Sequence, residues 1–284
     1  VTPAEAASAE RVAARELAAV LQQMHPDDRF VPAATLPARG TAILVGAATS
    51  TLVRRYLGDA GPGAAESYVL RHVSEGSREI GVIAGADPRG TAHGVYALLG
   101  KLGCNFHLSG DALPPPRTGP FGFDGWTGAD RPLVRDRIVF NWHNFLSGCS
   151  TWNLVDWQRW TAQSQKMGYN AIMVHAYGNN PMAGFTFEGT PKPVGYLSTT
   201  NKGRDWSTLH VNDVRRLFGG EVFAAPAFGA EAGLAPDAER VTAAQSLMHA
   251  VFDDAAERAM GVHFAVDVDT PSANPPELIG RLPE

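Results

Sequence analysis

Three short stretches carry the residue types that could do chemistry: Trp142-His143-Asn144, His175 through Tyr177 to Asn179-Asn180, and Asp267-Val268-Asp269-Thr270. Each follows a short apolar run, so each stands where a buried strand would end. Aromatic rings stack on the apolar faces of pyranose sugars, while His, Asn and Asp hydrogen-bond hydroxyls. Asp267 is the best-placed carboxylate, because an ionised group ending a buried strand needs a partner or a function. Asp269 is its nearest companion for acid/base work, with Glu188 a more distant one. Structural readings stand beside these roles. Trp142 also fits as a wall or core aromatic, His143 as a hydrogen-bonding support, and His175 as a satisfied core histidine. An ordinary turn accounts for Asn179-Asn180-Pro181, and an ion pair or cap for Asp267. His143, His175 and Asp267 together have the ligand types of a divalent-metal site, but no HxH or HxxxH spacing supports one. No metal and no cofactor is expected.

The elements that must position these residues read as two regions. Over 1–112 helix and strand alternate: helix 3–24, strand 41–46, short helix 50–57, strands 67–73 and 79–84, helix 91–102. This predicts a small α/β sandwich domain. Residues 113–132, with Leu113-Pro114-Pro115-Pro116 and several glycines, read as a linker or an extended crossing strand. From 133 to 284 the pattern becomes strand 137–142, helix 152–167, strand 170–176, a Gly/Pro/Thr-rich insertion 178–236 holding a possible helix 212–218, helix 237–260 and strand 262–267. Two strands joined by one helix make a right-handed βαβ unit with parallel strands. The expected fold class is therefore α/β, an N-terminal sandwich followed by about the first three βα units of a (β/α)8-type barrel. A whole barrel takes about 250 residues, so the rest of it is expected from a longer chain or another subunit.

Composition excludes several classes. The 284 residues are 44% hydrophobic and 19% charged with a formal charge of -5 and no basic block, which argues against a nucleic-acid partner. No run approaches the ~20 apolar residues of a membrane span. The opening VTPAEAASAERVAARELAAV lacks the basic and apolar regions of a secretion signal and reads as an amphipathic helix, one that prior cleavage could have exposed. Cys104 and Cys149 show no metal-ligand spacing and read as lone buried thiols.

The segment Ile80 to Gly103 is the most distinctive in the chain. An apolar strand meets Asp87-Pro88, which fixes a turn, and Gly85 and Gly90 free the backbone around it. Thr91 can cap a helix whose Val95, Leu98, Leu99 and Leu102 share one face, and Gly103 stands at its C-terminal stop. A positive φ is expected at Gly90, and His93 is expected to face solvent or a domain interface. Phosphate binding by this turn would need GxGxxG or GxxxxGK[ST], and both are absent.

Read as IxVIAGxDPRGTxHGVYALLxKLG, and followed by a strand ending in Trp142-His143-Asn144, the chain resembles α-glucuronidase-like glycoside hydrolases. Its first domain also resembles that of β-N-acetylhexosaminidases and α-N-acetylglucosaminidases. The resemblance implies an exo-acting glycoside hydrolase that degrades polysaccharide, with an oligo- or polysaccharide substrate and a secreted or periplasmic location. Trp142, His143, Asn144, His175, Tyr177 and Asn179 would bind substrate, and Asp267 with Asp269 would supply the acid/base chemistry. One departure matters: the paired Asp-Glu of the hexosaminidase barrel is missing, since Asp253-Asp254 falls mid-helix. Glycosidases generally need two carboxyl groups about 5 Å or about 6.5–9.5 Å apart. A non-catalytic carbohydrate-binding or scaffold protein and a metal-dependent barrel hydrolase remain as alternatives.

Overall fold

The computed structural model describes residues 1–59, 61–141, 152–177, 181–184, 186–191 and 237–267. The chain is α/β and divides into two units. One comprises residues 1–137, 162–170 and 256–260, the other 138–161, 171–255 and 261–284.

The first unit holds α1 (Ser8–Met24), β1 (Gly40–Ala47), α2 (Thr51–Leu57), β2 (Tyr68–Glu75), β3 (Arg78–Gly85), α3 (Pro88–Lys101), the short pair β4 (Asn105–His107) and β5 (Gly110–Ala112), and β6 (Gly128–Asp130). Its main sheet runs in the order β1-β3-β2-β6. β2 and β3 form a hairpin in which Glu75 pairs with Arg78 across Gly76-Ser77, and the φ of +61 at Gly76 suits such a tight turn. β1 returns parallel to β3, as the intervening elements allow.

Alternation along β3 divides the core between the two sheet faces. Ile80, Val82 and Ala84 join Leu44, Val53, Tyr56 and Leu57 beneath α2. Ile83 joins Leu17, Leu21, Val95, Leu98 and Leu99 beneath α1 and α3. Trp126 completes the second cluster at 1% exposure. It lies against Gly81 beside Phe123, where a Cβ would stand 2.5 Å from the indole ring. Residues 113–132, expected as a linker or an extended crossing strand, thus contribute both a core tryptophan and the edge strand β6, which pairs with Tyr68–Leu70 of β2.

The β3–α3 turn departs from expectation in two respects. Asp87, not Thr91, is the N-cap: its Oδ1 accepts from Gly90 N at 2.8 Å, and Pro88 opens the helix. Pro suits that position because its missing N–H has no partner to lose. Thr91 is fully buried and instead donates its hydroxyl to Glu10 of α1 at 3.1 Å. Gly90 has no positive φ. Its lack of a side chain is required by packing, because a Cβ there would stand 2.3 Å from the Ser67 carbonyl oxygen. Gly103, by contrast, has φ +103 just beyond the helix, as expected of a stop signal.

The second unit contains β7 (Ile138–Phe140), α4 (Leu154–Lys166), β8 (Ala171–Tyr177), a two-residue hairpin of β9 (Thr186–Phe187) with β10 (Thr190–Pro191), α5 (Asp237–Glu257) and β11 (Gly261–Asp267). Bounds of α4 and α5 place their last turns among the residues grouped with the first unit. α4 starts from a reciprocal box in which Asn153 N donates to Asp156 Oδ2 and Asp156 N to Asn153 Oδ1. Trp152, Trp157 and Trp160 pack edge to face, with centroids 5.3 to 5.7 Å apart. β11, β8 and β7 form a parallel sheet in that order. Among the described residues this sheet has three strands and does not close. The possible helix at 212–218 and Cys149 fall outside the described residues, while Cys104 is a buried free thiol.

These contacts predict opposite outcomes for two glycines of α3. Gly90→Ala should destabilise by about 1–3 kcal/mol through overpacking against Ser67. Gly100 has ordinary φ and open space where a Cβ would go, so Gly100→Ala should stabilise by up to about 1 kcal/mol. Thermal or urea unfolding of the two variants checks both signs.

Candidate functional site

The parallel sheet of the second unit brings part of the expected site together. Phe140 pairs with Met173, His175 with Ala265, and Tyr177 with Asp267. All three strands run the same way, so positions 175, 177, 265 and 267 lie at one end of the sheet, the C-terminal end. One face of β8 carries Ile172, Val174 and Ala176, all fully buried. Phe264 belongs to that face by register and meets Phe252 of α5 at 6.2 Å. His175 lies on the opposite face, where its ring meets that of Phe140 edge-on at 6.0 Å. Phe140 is 42% exposed, so this second face is open to solvent there. The expected residues Trp142, His143, Asn144, Asn179 and Asp269 fall outside the described residues.

A second constellation, in the first unit, was not anticipated. Glu66 is 8% exposed and accepts hydrogen bonds from Arg137 Nη2, from Asn170 Nδ2 at 2.9 Å and from Arg89 Nη1 at 3.2 Å. Asn170 is itself fixed, donating to the Arg135 carbonyl at 2.7 Å and accepting from Arg137 N at 2.9 Å. The Glu66 backbone is held as well: its N–H donates to Asp87 Oδ2 at 2.8 Å, and its φ is +58. His93 Nδ1 lies 3.9 Å from the Glu66 carboxylate, with its side chain 13% exposed. It therefore does not face open solvent, one of the two expected placements. No motif signalled this cluster, because the partners are far apart in sequence and individually unremarkable.

Electrostatics follows from those contacts. Burial by itself raises the Glu66 carboxyl, but hydrogen bonds and charge from Arg137, with help from Asn170 and Arg89, bring it below the ordinary 4.5. His93 is lowered from 6.5, mainly by burial and then by the Arg137 charge, so it is neutral at physiological pH. Beside the cluster lies a cavity of about 350 Å³ whose walls include Tyr68, His93, Asp130, Arg131, Arg137 and Lys166. Among the described residues no group of His, Cys, Asp or Glu is arranged to hold a metal ion, and no helix is long and apolar enough to cross a membrane.

No protein-family model matches the chain, and no curated protein matches it. Among solved structures it is similar to a family GH115 4-O-methyl-alpha-glucuronidase, BtGH115A, described as having specificity for decorated arabinogalactans. Identity is 19% and the TM-score 0.47, over 66% of this chain. The chain spans 27% of the length of that enzyme.

The Glu66 cluster generates a pH prediction. A carboxyl with a folded-state pKa below its unfolded value stabilises the fold above the unfolded value, about 4.3. That stabilisation is lost as pH falls through the folded value. Glu66→Gln should cost about 2–3 kcal/mol at pH 7, somewhat less than a fully buried pair because Arg89 is partly solvated. The gap between wild type and variant should narrow as pH drops below about 4. Urea unfolding from pH 3 to 7 checks this, and a gap of constant size would show that Glu66 does not titrate with folding.

Proposed function

We propose that the chain is part of a glycoside hydrolase whose second unit contributes the opening strands of a (β/α)8 barrel. One observation carries the reading: three strands, joined in chain order by α4 and then α5, lie parallel in register with the positions of His175, Tyr177 and Asp267 at their common C-terminal end. That end is where barrel enzymes assemble their active sites. The DPRGTxHGVYALLxKLG segment, with its resemblance to glycoside hydrolases, adds the substrate class.

In this reading Asp267 is one carboxyl of the acid/base pair, with Asp269 its companion. Trp142, His143, Asn144, His175, Tyr177 and Asn179 line the sugar subsite. A ring stacked on tryptophan and hydroxyls held by His and Asn would fix the glycosidic oxygen against the acid. The remaining strands come from a longer chain or a second subunit, and the enzyme acts outside the cytoplasm, where polysaccharide is met.

The test is hydrolysis of a glycan panel by the natural full-length protein, its length established by intact mass. Asp267→Asn should lower kcat by at least about 100-fold with unfolding unchanged, as for loss of a general acid or base. Binding of oligosaccharide without turnover by the full-length protein would favour a non-catalytic carbohydrate-binding role. Unaltered turnover by the Asp267→Asn variant would remove Asp267 from the mechanism.

A further inference from the structure

We propose that the outer edge of β1 accepts one further strand, an extended segment of chain leading into Val1 that pairs parallel to β1 along Gly40 to Ile43 with apolar side chains at alternate positions. The proposal is independent of the glycosidase reading. Among the described residues β1 ends its sheet, with β3 on one side only. The ladder to β3 uses the even-numbered residues of β1, as the bond from Gly40 N to the Ser77 carbonyl at 2.9 Å shows. Successive backbone groups of a strand point to opposite sides, so the odd-numbered residues turn their N–H and C=O outward.

Val1 already meets two of them. Its nitrogen donates to the Ile43 carbonyl, and its carbonyl accepts from Val45 N at 2.9 Å. A residue bonded to both neighbours of a third is in parallel register with that third residue, here Leu44. Packing agrees, for Val1 lies against the cluster that contains Leu44 on the α2 face. Beyond Val1 the ladder is closed. Thr2 N turns away to the Ala33 carbonyl at 3.0 Å. Pro3 has no N–H to offer, and its ring lies against Gly46, where a Cβ would stand 3.1 Å from Pro3 Cδ. Ahead of Val1 the ladder is open: among the described residues no hydrogen-bond partner meets the Ile43 N–H or the Thr41 N–H and C=O. Such an edge is a template for pairing.

A cavity of about 810 Å³ follows the same edge, with Thr41, Ala42 and Ile43 on one wall and Leu17, Leu21 and Phe30 on others. Register fixes what would enter it. The first residue before Val1 would stand opposite Ile43 and the third opposite Thr41, both on the sheet face where Ile43 packs with Leu17 and Leu21. Apolar side chains at those two positions would fill the cavity. The second residue before Val1 would accept from Ile43 N and donate to the Thr41 carbonyl. Burial pushes the Val1 amino group down to about 6, whereas a peptide N–H makes the same bond to Ile43 with no charge to desolvate. A strand from a second copy would have to stop where Val1 begins, while a segment joined to Val1 arrives aligned and at high effective concentration.

Amide exchange followed by NMR tests the proposal on the 284-residue chain and on three versions lengthened ahead of Val1 by Thr-Val-Thr-Val, Thr-Val-Pro-Val or Thr-Val-Thr-Pro. With the first extension the Ile43 amide should exchange at least about tenfold more slowly than in the unextended chain, the scale of one hydrogen bond. The second should lose that protection, because its proline ring would meet the Thr41 carbonyl in place of an N–H. The third should keep it, since there the missing N–H would point away from β1. Thermal unfolding no lower than that of the unextended chain shows the fold intact in each. An Ile43 amide already slow in the unextended chain, or unchanged by the first extension, overturns the proposal. Equal protection from the two proline versions overturns the register. Protection that grows with protein concentration assigns the edge to a second copy and overturns the joined segment.

Discussion

The first unit depends on one close approach, that of the α3 N-terminus to the chain entering β2. Asp87 uses both carboxylate oxygens at once, one on Gly90 N and one on Glu66 N, each at 2.8 Å. The helix cap and the strand entry are therefore fastened by the same side chain. The clasp closes only because residue 90 has no Cβ to strike the Ser67 carbonyl. The consequence falls on Glu66, which adopts φ +58 at a cost of about 1–3 kcal/mol for a non-glycine residue. Hydrogen bonds between charged groups contribute about 1.5–3 kcal/mol each, and Glu66 accepts several. The bonds outweigh the strain, so the unfavourable backbone persists.

From that point the carboxylate organises what arrives later in the chain. Arg137 closes the 1–137 segment, and Asn170 belongs to the 162–170 stretch grouped with the same unit. Both meet on Glu66, and the Arg137 guanidinium also donates to the Gly168 carbonyl at 2.7 Å. A parallel device joins other late residues to α1 and α3. Arg258 donates to Glu16 at 3.0 Å, Gln165 donates to the Arg258 carbonyl at 2.8 Å, and the buried Tyr96 hydroxyl donates to Glu16 at 2.8 Å. Residues 162–170 and 256–260 are thus held to the first unit by polar contacts to groups with little exposure, where such contacts are costly to break.

The order and type of the elements were legible from the chain, because alternation at period two and stripes at period 3.6 are local signals. β3, α3, β8 and β11 stand within a few residues of where those periods put them. What escaped was non-local. Glu66 meets its partners at separations of 21, 71 and 104 residues, and no window of sequence contains such a pair. Thr91 shows the same limit: it lies inside the helix that Asp87 caps, and its hydroxyl meets Glu10, 81 residues away. Trp126 in the 113–132 segment shows the limit of composition. A stretch rich in Pro and Gly suggests a linker or a crossing strand, and the strand is there as β6, but nothing local told that Trp126 would reach the core beside Gly81. In the second unit the strands that hold His175, Tyr177 and Asp267 were legible because each is an apolar run, whereas their residue-by-residue register was not.

That sheet also shows what parallel strands require. Wholly parallel sheets are found almost only where both faces are covered. In β8, Ile172, Val174 and Ala176 are buried, whereas in β11 Phe264 and Val266 remain 43% and 40% exposed. β8 has a strand on either side, and among the described residues β11 has one on one side only. Side chains so apolar at the edge of a parallel sheet are poor terminal residues, since they combine unpaired backbone groups with uncovered carbon. The same alternation that buries β8 would bury β11 if a further strand followed it in register. Its helix-side face would then be covered like that of β8, while its opposite face would continue the row begun by Phe140 and His175.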